Sequence, residues 1–113
     1  MNNDYAVVIR SNMMGYGNDK LGALLMRSYI NSLPDLVHLP SVIVLYNTGV
    51  HLAVQGADTA DSLVKLQSAG VTVLLCGTCV DYFEVGDRLA AGSVSNMVTI
   101  NNTLTRINKV LYP

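Results

Sequence analysis

Apolar positions along this chain fall into short unbroken runs separated by stretches with helical spacing. Tyr5-Ala6-Val7-Val8-Ile9, Ser41-Val42-Ile43-Val44-Leu45-Tyr46 and Val71-Thr72-Val73-Leu74-Leu75-Cys76 lack the alternation of a half-solvated strand. Such runs read as strands buried on both faces, and the first is expected to be central in its sheet. Lys20 to Leu33 predicts a helix with Asp19 or Asn18 as its N-cap. Leu21, Leu24, Leu25 and Tyr29 share one face of it and are expected to cover the sheet. Met26, Ile30 and Leu33 form a second apolar strip, expected to meet something beyond the monomer. Val50 to Ala57 reads as a loop. Asp58 with Asp61 resembles a capping box built on a shorter acid. It opens a helix over Thr59 to Ala69 that turns Leu63, Val64 and Leu66 inward and ends at a left-handed Gly70. Val80 to Phe83 reads as one helical turn, and Val85 to Leu89 as a second short helix. Gly92 to Ser95 suits a short strand. Thr99 is expected to cap a helix with Ile100, Leu104 and Ile107 inside. Lys109 to Tyr112 closes the chain as a strand.

Strands alternating with helices predict one α/β domain over residues 1–113. It is a three-layer sandwich with a mostly parallel five-stranded sheet and helices on both faces. In such folds ligands gather outside the carboxyl ends of the strands. The loops after the first three strands hold Asn12 to Gly17, Asn47 to Gly49 and Cys76 to Cys79. They open on one rim, which makes Asn12, Gly15, Gly17, Asn47 and Thr78 its expected lining. Gly15-Tyr16-Gly17 lies between a strand and a helix, yet no phosphate-loop or dinucleotide fingerprint is present. These glycines read as shaping a loop.

Charge changes this picture in one respect. Half of the 113 residues are hydrophobic and only 13% are charged, against roughly a quarter in an average domain. So little charge predicts a surface hidden against another copy, hence a homo-oligomer. The net charge is −1 without a basic run, which argues against nucleic acid. Met1-Asn2-Asn3-Asp4 lacks the positive and then apolar pattern of a secretory leader. Leu36 to Ala57 carries no charge, but Pro40, Asn47 and Gly49 interrupt it, so no membrane span is expected. Two cysteines three positions apart are no disulfide framework, and a reducing cytoplasm is the expected location.

Those cysteines are the candidate chemistry. Cys76 ends a buried strand and Cys79 falls where a helix starts. Unpaired N–H groups and the helix dipole there favour an anion, which predicts a Cys79 thiolate with a lowered pKa. Four readings compete: a thiol carrying sulfur or selenium, a redox disulfide, half of a metal site, or two small side chains packed at a strand end. A closed zinc site needs four ligands. His38 and His51 have no ligand spacing to the cysteines, so no metal and no cofactor is expected. A thioredoxin-type pair would have an aromatic before the first cysteine and a proline facing it. Here Leu75 precedes Cys76, and the sole later proline is Pro113. A binding module with structural cysteines is the non-enzymatic alternative.

Gly15-Tyr16-Gly17-Asn18-Asp19-Lys20-Leu21-Gly22, Asn47-Thr48-Gly49-Val50, Gly70-Val71, Cys76-Gly77-Thr78-Cys79-Val80-Asp81-Tyr82-Phe83 and Gly92-Ser93-Val94-Ser95-Asn96-Met97 occur in this order. The pattern resembles DsrE/DsrF-like proteins, most of all the C-terminal domain of YedF-type proteins associated with selenium metabolism. The resemblance covers nearly the whole chain. It implies a flavodoxin-like α/β sandwich and a sulfurtransferase-like role in sulfur relay. The persulfide-accepting cysteine of several members corresponds to Cys79, with Cys76 at most resolving it. The YedF-type pattern carries a TusA-like domain ahead of this one. This sequence does not include that domain, so it reads as either an isolated domain or a stand-alone relative, and a TusA-like carrier is an expected donor or acceptor.

Overall fold

The computed structural model describes residues 4–113; Met1 to Asn3, part of the run in which no leader is expected, lie outside the described residues. Five strands form one parallel sheet: β1 (Tyr5–Ile9), β2 (Val42–Leu45), β3 (Thr72–Cys76), β4 (Ser93–Ser95) and β5 (Lys109–Leu111). Their order is β4-β3-β2-β1-β5, and every pairing is parallel. β2 therefore holds the middle, while β1 is an interior strand flanked by β2 and β5. An unbroken apolar run shows that a strand is covered on both faces; it does not show which covered strand lies in the centre.

Side chains alternate across the sheet and feed two cores. Val7, Ile9, Ile43, Leu45, Val73 and Leu75 point to one face, under α1 (Asp19–Ser32) and α2 (Ala60–Ser68). Ala6, Val8, Val42, Val44 and Cys76 point to the other, where α4 (Met97–Leu104) lays Ile100 on them. The result is a three-layer, flavodoxin-like α/β sandwich, as the strand and helix alternation requires. A short helix, α3 (Gly77–Tyr82), follows β3 without a break.

The helices are rotated or capped differently from the sequence expectation in several places. On α1 the buried strip is Gly22, Met26 and Ile30, continued by Leu33. Leu21, Leu24 and Leu25 are exposed instead. The reason lies in the loop before the helix. Met14 N–H donates to the Gly22 carbonyl at 2.9 Å. A Cβ at position 22 would stand 3.1 Å from Met13 Cβ. A helix face without a side chain must turn toward that loop, and this orients the whole helix. Of the two caps expected for α1, Asn18 is the one used, its Oδ1 accepting from Leu21 N–H at 2.9 Å.

Asp58 does not cap α2. It pairs with Arg27 at 3.4 Å. Thr59 takes the N-cap position, and its hydroxyl donates to the Leu52 carbonyl at 2.7 Å instead of capping the helix. Val64 faces outward, while Leu63 and Leu66 are buried. Gly70 is left-handed as expected, with φ +100°. Asn96, rather than Thr99, caps α4, its Oδ1 accepting from Thr99 N–H at 2.9 Å. The stretch expected as a loop from Val50 begins in 3₁₀ turns spanning Asn47–Ala53. These turns bring buried Val50, Leu52 and Ala53 onto the core.

Candidate functional site

Cys76 ends β3 and is also the N-cap of α3; Cys79 is the third residue of that helix. Gly77 makes the abrupt junction possible. A Cβ there would meet the Ser95 carbonyl oxygen of β4 at 2.8 Å, well inside van der Waals contact. The alternation of β3 turns Cys76 toward the α4 side, where it is buried, 4% exposed. Cys79 is half-buried and packs against both cores. Both are free thiols.

The β2 end holds Cys79 from the other side. Asn47 has a left-handed backbone, φ +50°. This conformation costs ordinary L-residues energy, and asparagine tolerates it because its short amide bonds locally. Here Asn47 Oδ1 accepts from Thr48 N–H at 2.8 Å. The turned backbone aims Asn47 N–H at Cys79 Sγ, 3.1 Å away. One step further, Asn12 N–H donates to Thr48 Oγ1 at 3.0 Å. Three loops from β1, β2 and β3 are thus joined through Asn12, Thr48, Asn47 and Cys79.

The expected lowering of the Cys79 pKa is not what this environment produces. Burial pushes the thiol up, Asn47 N–H pulls it down, and the neighbouring Cys76 pushes it up again; the net direction is upward. A half-buried position on a six-residue helix offers the thiolate little beyond that single N–H. Desolvation, which penalises the charged form, outweighs it.

Not all of the expected rim converges. Cys76, Cys79, Asn47 and Asn12 belong to one network, and Thr78 is exposed on the first turn of α3. Gly15 and Gly17 line a separate open cleft of about 790 Å³ with Arg10, Tyr16 and Tyr112. Asn12 also borders a smaller cleft of about 370 Å³, beside Lys20, Arg27 and His51. Neither lining includes a cysteine. Among the described residues no group of three or more His, Cys, Asp or Glu is placed to hold a metal ion. His51 packs against Phe83 with ring centroids 4.5 Å apart and the rings tilted by 56°, and His38 is exposed.

Tyr46 was not among the expected site residues. It follows β2 on the same face as Val42, Val44 and Cys76. Its hydroxyl reaches Met97 Sδ at 3.8 Å. Burial raises its pKa first, and Cys76, Tyr112 and Cys79 add to the rise. Counting alternation along β2 up to Tyr46 was the signal available in the sequence. Past Tyr112, the Arg10 guanidinium stacks at 4.9 Å from the ring centroid.

No family model matches this chain, and no curated protein matches it in sequence. Solved structures do match in fold. The ychN protein from E. coli superposes with a TM-score of 0.72 at 17% identity, covering 97% of this chain and 99% of that one. MTH1491 from Methanobacterium thermoautotrophicum, a protein of unknown function, gives 0.67 at 19% identity over 99% and 100% of the two chains. BT1422 from Bacteroides thetaiotaomicron, also of unknown function, gives 0.66 at 17% over 98% and 96%. These likenesses establish a YchN-like fold across essentially the full length. At this level of identity they speak to fold alone.

Proposed function

We propose that this chain is a sulfurtransferase-like carrier that holds sulfur, or selenium, on Cys79 as a persulfide-type adduct and relays it between partner proteins. One observation carries the reading: Cys79 Sγ stands at the carboxyl rim of a parallel sheet with a single backbone N–H aimed at it, 3.1 Å away. The sequence resemblance to DsrE/DsrF-like proteins and the full-length fold likeness support it. A TusA-like protein is the partner class to try first.

The chemistry follows from the thiol. The Cys79 thiolate attacks the terminal sulfur of a donor persulfide. The donor S–S bond breaks, and the donor cysteine leaves as thiolate. In the second half the acceptor thiolate attacks the outer sulfur and Cys79 leaves. Cys79 rests mainly as thiol at neutral pH, because its pKa is raised. Asn47 N–H then stabilises the thiolate at the moment it forms, through a charge-assisted hydrogen bond.

The test is intact mass after brief incubation with a sulfane-sulfur donor. Wild type and Cys76→Ser gain one sulfur atom, and peptide mapping places it on residue 79. Cys79→Ser gains none. Sulfur on Cys76 with Cys79 unmodified, or no adduct at all, defeats the proposal.

A further inference from the structure

Loading sulfur on Cys79 does not require Cys76, yet Cys76 is placed with some care. It is the N-cap of α3, and Cys79 is the third residue of the helix. The N-cap and the third helical residue are three positions apart, a spacing that makes side chains neighbours across the first turn of a helix. Both cysteines pack into the apolar cluster on the α4 side of the sheet. Their accessibility differs: Cys76 is 4% exposed and out of reach of a partner protein, whereas Cys79 stands at the rim. An adduct on Cys79 therefore offers two sulfurs to two different nucleophiles. The outer atom is open to a docked partner. The inner one, Cys79 Sγ itself, is next to Cys76.

Resting on the persulfide reading of Cys79, we propose that Cys76 discharges the carrier: it attacks Cys79 Sγ in the adduct and expels the terminal atom as hydrosulfide, or as hydroselenide when selenium is carried. A bond forms between the Cys76 and Cys79 sulfurs. The bond from Cys79 Sγ to the terminal atom breaks, and its electron pair leaves with that atom. Cys76 is oxidised, the terminal atom is reduced, and Cys79 stays at the disulfide level, so no outside oxidant or reductant enters. The Cys76 proton passes to solvent. A dithiol reductant then returns the disulfide to two thiols. The carrier thus has two exits. A partner thiol that docks takes the outer sulfur; without a partner, the load is released as a small anion and the site closes as a disulfide.

The experiment loads wild type, Cys76→Ser and Cys76→Ala with inorganic polysulfide, desalts them, and follows intact mass while monobromobimane traps sulfide. In wild type the species heavier by one sulfur decays to one lighter than the reduced protein by two hydrogens. About one equivalent of sulfide appears with it. In both variants the adduct lasts at least about tenfold longer. Peptide mapping of wild type alone finds the Cys76–Cys79 disulfide, which keeps the test valid if a variant fails to fold. An adduct that forms on Cys79 but persists equally in wild type and variants, or decays without that disulfide, overturns the discharge role and leaves the carrier reading standing. If Cys79 takes no sulfur at all, both fall together.

Discussion

The reactivity of Cys79 is decided by its burial and by two neighbours, Cys76 and Asn47. Burial and Cys76 raise its pKa, and Asn47 N–H lowers it by less. A raised value means a smaller thiolate fraction at neutral pH than in a free cysteine. Alkylation of Cys79 by iodoacetamide is therefore expected to be slower than that of a free thiol near neutral pH. Its rate should still be climbing at a pH where that of a free thiol has begun to level off. A rate profile already flat below that point contradicts the assignment. The same sign applies to stability: the contribution of Cys79 is present below the ordinary thiol range and is lost as pH rises through its folded value. Cys79→Ser removes the alkylated site. Cys76→Ser leaves it and costs about 1 kcal/mol of stability, because a hydroxyl replaces a packed thiol. Asn47 offers a second check. At φ +50°, Asn47→Val is expected to cost about 1–2 kcal/mol, the penalty of a left-handed backbone for an L-residue. Asn47→Gly should lose much less. Equal thermal melts for the two variants would show that no strain resides there.

Among the elements, the junction of β3 and α3 sets the site. The chain turns from strand to helix with no linker because position 77 has no side chain facing the Ser95 carbonyl. Gly77→Ala is expected to push β4 or α3 aside at a cost of about 1–3 kcal/mol, as overpacking of a close contact does. Displacing α3 also breaks the alignment of Cys79 with Asn47 N–H. The variant should thus melt lower and load sulfur more slowly than Cys76→Ser. Full loading with an unchanged melt would mean that the close approach does not hold the site. The strand runs were legible because continuous apolar stretches bounded by Gly, Pro and Asn have few other uses. The rotation of α1 was not. Leu21, Leu24 and Leu25 outweigh Gly22 and Met26 in any count of apolar positions, but the loop at Met13 and Met14 crosses the helix where only Gly22 admits it.

For the molecule as a whole, that rotation changes the argument for self-association. Met26, Ile30 and Leu33 are core, so they leave nothing to bury elsewhere. Leu21, Leu24 and Leu25 now form the exposed apolar stripe, each more than two-fifths exposed. We propose the homo-oligomer on this stripe. Sedimentation at roughly tens of micromolar should give a mass above that of the monomer. A paired Leu21→Lys and Leu25→Lys change should shift it toward monomer without lowering secondary structure. A wild-type monomer under these conditions ends the proposal. Among the described residues no helix is long and apolar enough to cross a membrane.

The sequence by itself determined the α/β class, the parallel pairing, the five strands and the nearness of two thiols to one rim. Each depends on local patterns: apolar runs, turn residues, and the period that separates helix from strand. Tertiary structure decided what no local pattern carries. It chose which stripe of α1 is buried, and it moved Gly15 and Gly17 into a different cleft from the cysteines. It aimed Asn47 N–H at Cys79 from a turn thirty-two positions away, set Tyr46 against the cluster that holds Cys76, and reversed the expected direction of the Cys79 pKa. Helix position alone favours a thiolate. Only packing reveals how much water the thiol has lost, and here desolvation is the larger effect.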